Sequence, residues 1–367
     1  GSSGGGGGNR RRALFFLVHL DPTQASWFAK RHSGELEFVN SLASALRAAG
    51  WEVEESGEID EVQAYMAAAA ARPEVLANTH FFFDVGTATN FYDKSYWSAI
   101  RCRVRVLDFF GSPATGALDL GAKAMARGIQ PKQFWTPYPN RWNEFLGFPL
   151  EARPPTPKKH QGVLWGKMLE YLQGHEELIR ELGKLSPLYA VVQEPHPPAW
   201  LREAGVTVRP LMQPSEWEEL VAESKYFIGF GDPLLGPSVM HCLAAGTPYL
   251  DPVFSNPKAV GSGMTFTSQH PYAHSFGAPL VHRVHLDNIV EVVATVKRVL
   301  SAPPVAPFVP SVMTPGGYKA KVEQLMMEDN FCTTNMPENP ADSDNTRVAR
   351  PRGFNLRNYA AKRSDTA

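Results

Sequence analysis

The chain has 367 residues, 43% of them hydrophobic, with 36 Lys and Arg against 37 Asp and Glu and a formal net charge of −1. That length and apolar content allow a sizeable buried core shared between about two domains. The balanced charge excludes a protein drawn by its overall field to nucleic acid or anionic lipid, and no nucleic-acid partner is expected.

The opening GSSGGGGGNRRR lacks the apolar core of a signal peptide and reads as a cloning scar and linker over 1–12. No apolar run approaches the roughly 20 residues needed to span a bilayer, so this sequence offers no membrane contact; whether an anchor lies upstream is beyond its reach. Cys102, Cys242 and Cys332 lie far apart without a C-x-x-C pair, which argues against a zinc site or a disulfide framework and allows at most one bridge. There is no N-x-S/T sequon.

ALFFLVHL (13–20) is a continuous apolar run of strand length, as in a strand buried on both faces of a parallel sheet. A helix follows a loop: Val39, Leu42, Leu46 and Ala49 recur on one face, with Ser33 placed to cap its start and Gly50 to end it. WEVEE (51–55), HFFFDV (80–85) and RCRVRVLDFF (101–110) are further strands. The proline cluster in GFPLEARPPTPKKHQ (147–161) interrupts the pattern, and alternation then restarts. Strands are expected at 162–166, 188–194, 206–211, 226–231 and 248–254, with helices near 167–182, 215–225 and 237–245. Strands alternating with helices mean βαβ units and parallel sheets. The expected fold class is α/β: two Rossmann-like domains, 13–155 and 156–332, facing each other across a cleft, then a low-order tail over 333–367.

YFIGFGDPLLGPSVMHCLAAGTPYLDP (226–252) carries the most chemistry. An apolar strand enters a turn with Gly229, Gly231 and Gly236, and a helix begins at Pro237, an arrangement that suits a diphosphate or serves as an ordinary strand-to-helix turn. G-x-G-x-x-G and Walker sequences are both absent, which disfavours dinucleotide oxidoreductases and phosphate-loop ATPases. Lys258, after the next strand, is placed to reach a phosphate from the same strand ends, or is merely solvated. FTSQHPYAHSF (266–276) gathers Ser268, Gln269, His270 and Tyr272 in a loop that is either a binding surface or a self-satisfied turn. DSD (342–344) has the spacing of a metal-binding acidic motif, but it lies in the tail after no apolar strand and is taken as chance; no metal ligand and no cofactor are expected.

RVLDFFG (105–111), PKQFWTPYPNRWNEFLGF (131–148), GFGDPLLGP with LAAG (229–246), FSNPK (254–258) and TSQHPYA (267–273) together resemble the catalytic domain of the α-1,6-mannosyl-glycoprotein 6-β-N-acetylglucosaminyltransferases, the N-acetylglucosaminyltransferase V family. The resemblance implies a GT-B fold, an acceptor-binding first domain, a nucleotide-sugar-binding second domain, inversion at the anomeric carbon without a metal, a glycan or glycoprotein acceptor, and residence in the Golgi lumen. SGELEFVNSL (33–42) matches the family's Gly-Glu-Leu, which makes Glu35 the general base by resemblance. An inverting transfer needs one carboxylate to take the acceptor hydroxyl's proton. A Glu in a first helical turn is also favoured by the helix dipole without any catalytic duty. Gly231, Gly236 and Pro237 of the glycine turn, Lys258 beyond it and Ser268, Gln269 and His270 of the loop are the donor-binding candidates, with His241, where the family has an acid, as a neutral partner for a ribose hydroxyl. Asp108, Phe110 and Trp135 fall to the acceptor, Trp135 being either a stacking platform or a packed turn residue.

Departures from the pattern accompany the matches. Leu235 and His241 stand where the family has acidic residues, and TGALDLGAKAMARGIQ (115–130) replaces an aromatic stretch. UDP-N-acetylglucosamine is the first expectation for the donor, with a GDP- or other UDP-sugar as the alternative. A catalytically idle glycan- or glycoprotein-binding module is the rival from another class, and a nucleotide-sugar epimerase a third.

Overall fold

A computed structural model describes residues 11–16, 34–113, 120–193, 197–260 and 263–327. The first half forms a six-stranded sheet from β1 (Arg12–Phe16), β2 (Glu52–Ser56), β3 (Thr79–Asp84), β4 (Val104–Leu107), β5 (Phe134–Thr136) and β6 (Glu144–Phe145). Its order is β2-β1-β3-β4-β5-β6 and every pair is parallel. Successive side chains take opposite faces, so each phenylalanine run feeds two cores. Phe15 and Phe82 stack at 4.5 Å on one face, while Phe16 and Phe83 meet edge-on at 6.5 Å on the other.

Helix α1 (Gly34–Ala48) buries Phe38, Val39, Leu42, Ala43 and Leu46 against the first of these faces; α2 (Ile59–Ala70) lays Val62, Met66 and Ala69 on the second. Gly50 ends the α1 segment with φ of 81°, its amide donating to the Arg47 carbonyl. Ser33 and residues 17–20 lie outside the described residues. Within 101–110 only Val104–Leu107 is strand, because Arg101–Arg103 tightens into a 3₁₀ turn.

The second sheet has seven strands: β7 (Lys159–Trp165), β8 (Leu188–Val191), β9 (Val206–Arg209), β10 (Ser224–Gly229), β11 (Tyr249–Ala259), β12 (Thr265–Ser268) and β13 (Val281–Val284). It is parallel apart from β12, which returns antiparallel along the far half of β11. Around it pack α3 (Glu176–Gly183), α4 (Pro214–Ala222), α5 (Ser238–Ala244) and α6 (Ile289–Ser301). The single helix expected near 167–182 is a 3₁₀ turn, Leu169–Leu172, followed by α3, with Gly174 at φ 82° between them. Lys258, expected in a loop, lies within β11, and Ser268 closes β12.

The last described helix, α7 (Pro315–Met327), changes one boundary. Read from sequence as part of the 156–332 domain, it instead buries Tyr318, Val322, Leu325 and Met326 beside α1 in the first domain's core. Lys321 Nζ reaches Glu144 Oε1 on β6 at 2.6 Å. The chain therefore joins the domains once through 146–158, which carries neither helix nor strand, and again on its way to α7.

In each sheet the strand order reverses beside the strand that starts its domain. The first sheet reverses between β1 and β3, the second between β7 and β10. Crevices outside the carboxyl ends of strands at such points are where open α/β sheets hold ligands. Helix α1 follows β1, and the glycine turn follows β10.

Candidate active site between two switch points

The two crevices meet where Gly34 begins α1. A Cβ at this position would lie 2.7 Å from Phe109 Cζ and 2.7 Å from Pro237 Cδ, so only glycine lets α1 approach both the end of β4 and the start of α5 this closely. Glu35 and Glu37 occupy the first turn of α1. Glu35 is half-buried. Its neighbourhood includes the fully packed Tyr138, whose phenol is pushed well up by burial and then by the Glu37 and Glu35 carboxylates.

Across the junction, the turn from Gly229 to Pro237 is shaped by close approach. Gly231 has φ of 94°, and a Cβ there would sit 2.9 Å from Lys258 Nζ. A Cβ on Gly236 would meet Trp165 at 2.4 Å, at the end of β7. Leu235, in the place of an expected acid, is buried at φ 55°, a left-handed conformation unusual for a branched apolar residue, and its amide donates to the Gln269 carbonyl at 3.1 Å. Pro237 caps the start of α5.

Lys258 joins this turn, as its position in sequence suggested. Its Nζ donates to the Gly231 carbonyl at 3.0 Å and to Asp232 Oδ2 at 2.9 Å, and it lies over the Phe254 ring. The half-exposed ammonium is thus held at the turn by a carboxylate that sequence reasoning passed over.

The TSQHPY segment stands behind the turn. Gln269 is fully buried; its side-chain oxygen accepts from the Gly231 amide at 2.9 Å and its nitrogen donates to the Pro233 carbonyl at 3.0 Å. Expected to hold the donor directly, Gln269 holds the turn instead, because both ends of its amide are already bonded. His270 is also enclosed: Nδ1 accepts from the Ala273 amide, its own amide donates to Asp251, and its ring stands edge-on to Tyr138 at 4.6 Å. Burial pushes its pKa down to about 4 against the pull of Asp251, so the imidazole is neutral. Ser268 is buried too, and among the described residues its Oγ, His270 Nε2 and the Tyr138 hydroxyl have no partner.

Two acceptor assignments change. Trp135 is completely buried between core layers, with Phe82 at 5.8 Å and the Arg105 guanidinium over its ring, so no sugar can stack on it. Asp108 is buried as the organiser of its own turn, accepting from the Gly111 amide at 3.0 Å on one oxygen and from the Ser112 hydroxyl on the other, so burial keeps both oxygens from a sugar. Burial pushes its pKa up to about 6 despite those hydrogen bonds. Phe110 does line an interdomain crevice of about 170 Å³, with Phe109, Tyr138, Asn140, Leu235 and Tyr272.

His241 also lies elsewhere than expected. Its Nε2 is 2.7 Å from Glu37 Oε1, so the side chain is turned toward α1 rather than held free for a ribose.

Two Rossmann-like domains with their switch points face to face make this a GT-B scaffold. Glycosyltransferase family 18 matches residues 10–353, and the chain belongs to that family. Alpha-1,6-mannosylglycoprotein 6-beta-N-acetylglucosaminyltransferase B of Homo sapiens is 30% identical over 273 residues, 65% of this chain and 34% of that protein. The A enzyme of Homo sapiens is 27% identical over 285 residues, 70% of this chain and 38% of the relative, and the Caenorhabditis elegans protein 26% over 268, covering 63% and 39%. The chain therefore spans little more than a third of the length of these curated relatives. Among solved structures, a glycosyltransferase involved in avilamycin A biosynthesis aligns over 85% of this chain and 92% of that one, at 11% identity and a TM-score of 0.46.

Proposed function

We propose that the protein transfers a sugar, N-acetylglucosamine from UDP-N-acetylglucosamine in the first instance, to a hydroxyl of a glycan or glycoprotein, with inversion and without a metal. The observation that carries this is the contact of Gly34 with Pro237, which sets Glu35 beside the glycine turn. The family's named relatives act as 6-beta-N-acetylglucosaminyltransferases on alpha-1,6-mannosylglycoprotein, which supplies the substrate class.

In this mechanism the Glu35 carboxylate removes the acceptor hydroxyl's proton while that oxygen attacks the anomeric carbon from the face opposite the diphosphate. The bond from the anomeric carbon to the diphosphate oxygen breaks, and the nucleoside diphosphate leaves with the bonding pair. Lys258, fixed at the turn, offsets the charge that develops there. Gly231 contributes space rather than its amide, which Gln269 has taken. Phe110 offers an aromatic surface to a sugar face in the crevice. Gln269 and His270 keep the turn in shape from behind. A disulfide at Cys102 suits an oxidising compartment such as the Golgi lumen.

Thermal-shift screening against UDP, GDP, CMP and their sugars, followed by transfer in excess EDTA to a mannose-terminated glycan, tests this. Selective stabilisation by UDP and chelator-resistant transfer from UDP-N-acetylglucosamine are expected. Stabilisation by GDP alone would replace the donor, and activity restored only by manganese or magnesium would overturn the mechanism.

A further inference from the structure

One polar contact between the domains has no part in the chemistry above. His241 on α5 approaches Glu37 on α1 at 2.7 Å, a pair separated by 204 positions in the chain. The other ring nitrogen, Nδ1, is 3.8 Å from Glu218 Oε1 on α4. Arg153, in the connection between the sheets, forms an ion pair with Glu218, and its amide donates to the Ala244 carbonyl at 2.8 Å, where α5 ends. The cluster thus ties together α1, α4, α5 and the interdomain connection. The Phe148 ring lies beside the imidazole, and only 24% of the His241 side chain is exposed.

Charge makes the histidine's state consequential. With a neutral ring, the two carboxylates Glu37 and Glu218 face one guanidinium; with an imidazolium the cluster balances. Tyr138, which also faces Glu37, keeps its proton throughout because burial holds its phenol neutral. Geometry adds a second constraint. Gly34 and Glu37 are one turn apart on α1, and Pro237 and His241 one turn apart at the start of α5, so the two helix starts touch through two contacts in register. Two contacts fix both the separation and the rotation of α1, and with them the place of Glu35.

We infer that Glu37 and His241 form an interdomain latch, closed by protonation of the histidine, that positions Glu35 against the donor turn. Its part in transfer rests on the function proposed above; its existence as a contact does not. Burial opposes the imidazolium, but Glu37 foremost and then Glu218 outweigh it and raise the pKa above the ordinary histidine value. The charge-assisted latch is therefore complete below that ordinary value and weakens to a neutral hydrogen bond, with two carboxylates facing one guanidinium, as pH rises through the raised one.

The test combines proton and carbon NMR titration of the histidine rings, small-angle scattering across pH, and transfer kinetics, in the wild type and in Glu37→Gln and His241→Lys. The ring signal that disappears in His241→Lys should titrate above the ordinary value, and fall toward it in Glu37→Gln. Glu37→Gln should lower kcat about tenfold, a modest misplacement of the base, with the donor KM held within about twofold. His241→Lys, which keeps a fixed positive charge, should retain most of the rate and lose the alkaline decline. An ordinary titration of His241 that ignores Glu37→Gln would overturn the latch, as would a Glu37→Gln variant with wild-type kcat and scattering. A chain that transfers no sugar yet shows the coupled titration and a pH-dependent expansion keeps the latch and loses the proposed function; the reverse pattern does the opposite.

Discussion

The side-chain oxygen of Gln269 accepts the Gly231 amide at 2.9 Å, so a group that a glycine-rich turn offers to phosphate is already spent inside the protein. Gln269→Leu should leave that amide and the Pro233 carbonyl unpaired, at about 1–3 kcal/mol for each group that stays dry. Denaturant unfolding should show the loss, and calorimetric titration should show weakened nucleotide binding. Gln269→Glu tests the geometry further, because a carboxylate can accept from Gly231 but cannot donate to Pro233. Wild-type stability and affinity in both variants would make Gln269 a bystander.

Gly34 packs tightly between Phe109 of its own domain and Pro237 of the other. Gly34→Ala would press a methyl group against Phe109 and Pro237 at 2.7 Å, an overpacking that costs about 1–3 kcal/mol. Because the strain falls at the interface, transfer should drop by an order of magnitude or more while nucleotide affinity changes little. A Gly34→Ala enzyme with unaltered kcat would show that the helix start and the turn are free to separate during catalysis.

Much of this architecture was legible before any coordinates. Short continuous runs such as the phenylalanines of β3, bounded by Asn78 and Asp84, have the length and flanks of strands covered on both faces, and the restart of alternation beyond the proline cluster marked the second sheet. The place of Lys258 beside the glycine turn was legible too, since β10 and β11 are parallel neighbours and the lysine lies at the far end of β11. Local pattern could not separate Trp135 on a sugar from Trp135 in the core, because an aromatic near a proline-rich turn suits both and only burial decides. Asp108 was misread for a related reason: a carboxylate at a strand end serves a ligand or its own turn equally well, and here Gly111 and Ser112 claim it. The return of α7 and the pairing of His241 with Glu37 depend on contacts between distant parts of the chain, which no window of sequence contains.

Asp108 carries a pH signature. Its pKa rises from the ordinary carboxylate value to about 6 because burial disfavours the anion, so the folded protein binds a proton there that the unfolded chain releases. The sign is that stability from this group is greatest in acid and is lost as pH climbs from about 4 to about 6, a change on the order of 3 kcal/mol. Asp108→Asn removes the titration. Across about pH 4 to pH 7, the stability of the wild type relative to Asp108→Asn should therefore fall by that order. A pH-independent difference between the two would mean that Asp108 stays ionised in its turn.

Glu35 as the base in the acceptor domain is the central claim, and the rate and nucleotide affinity of Glu35→Gln test it most directly. The amide keeps the size of the side chain and its place in the first turn of α1 but cannot take a proton. Transfer should fall by about 10²-fold or more, while calorimetry returns the wild-type affinity for UDP, since no donor contact has been touched. A Glu35→Gln enzyme that keeps more than about a tenth of the wild-type rate would contradict the claim and leave Glu35 as a helix-end charge.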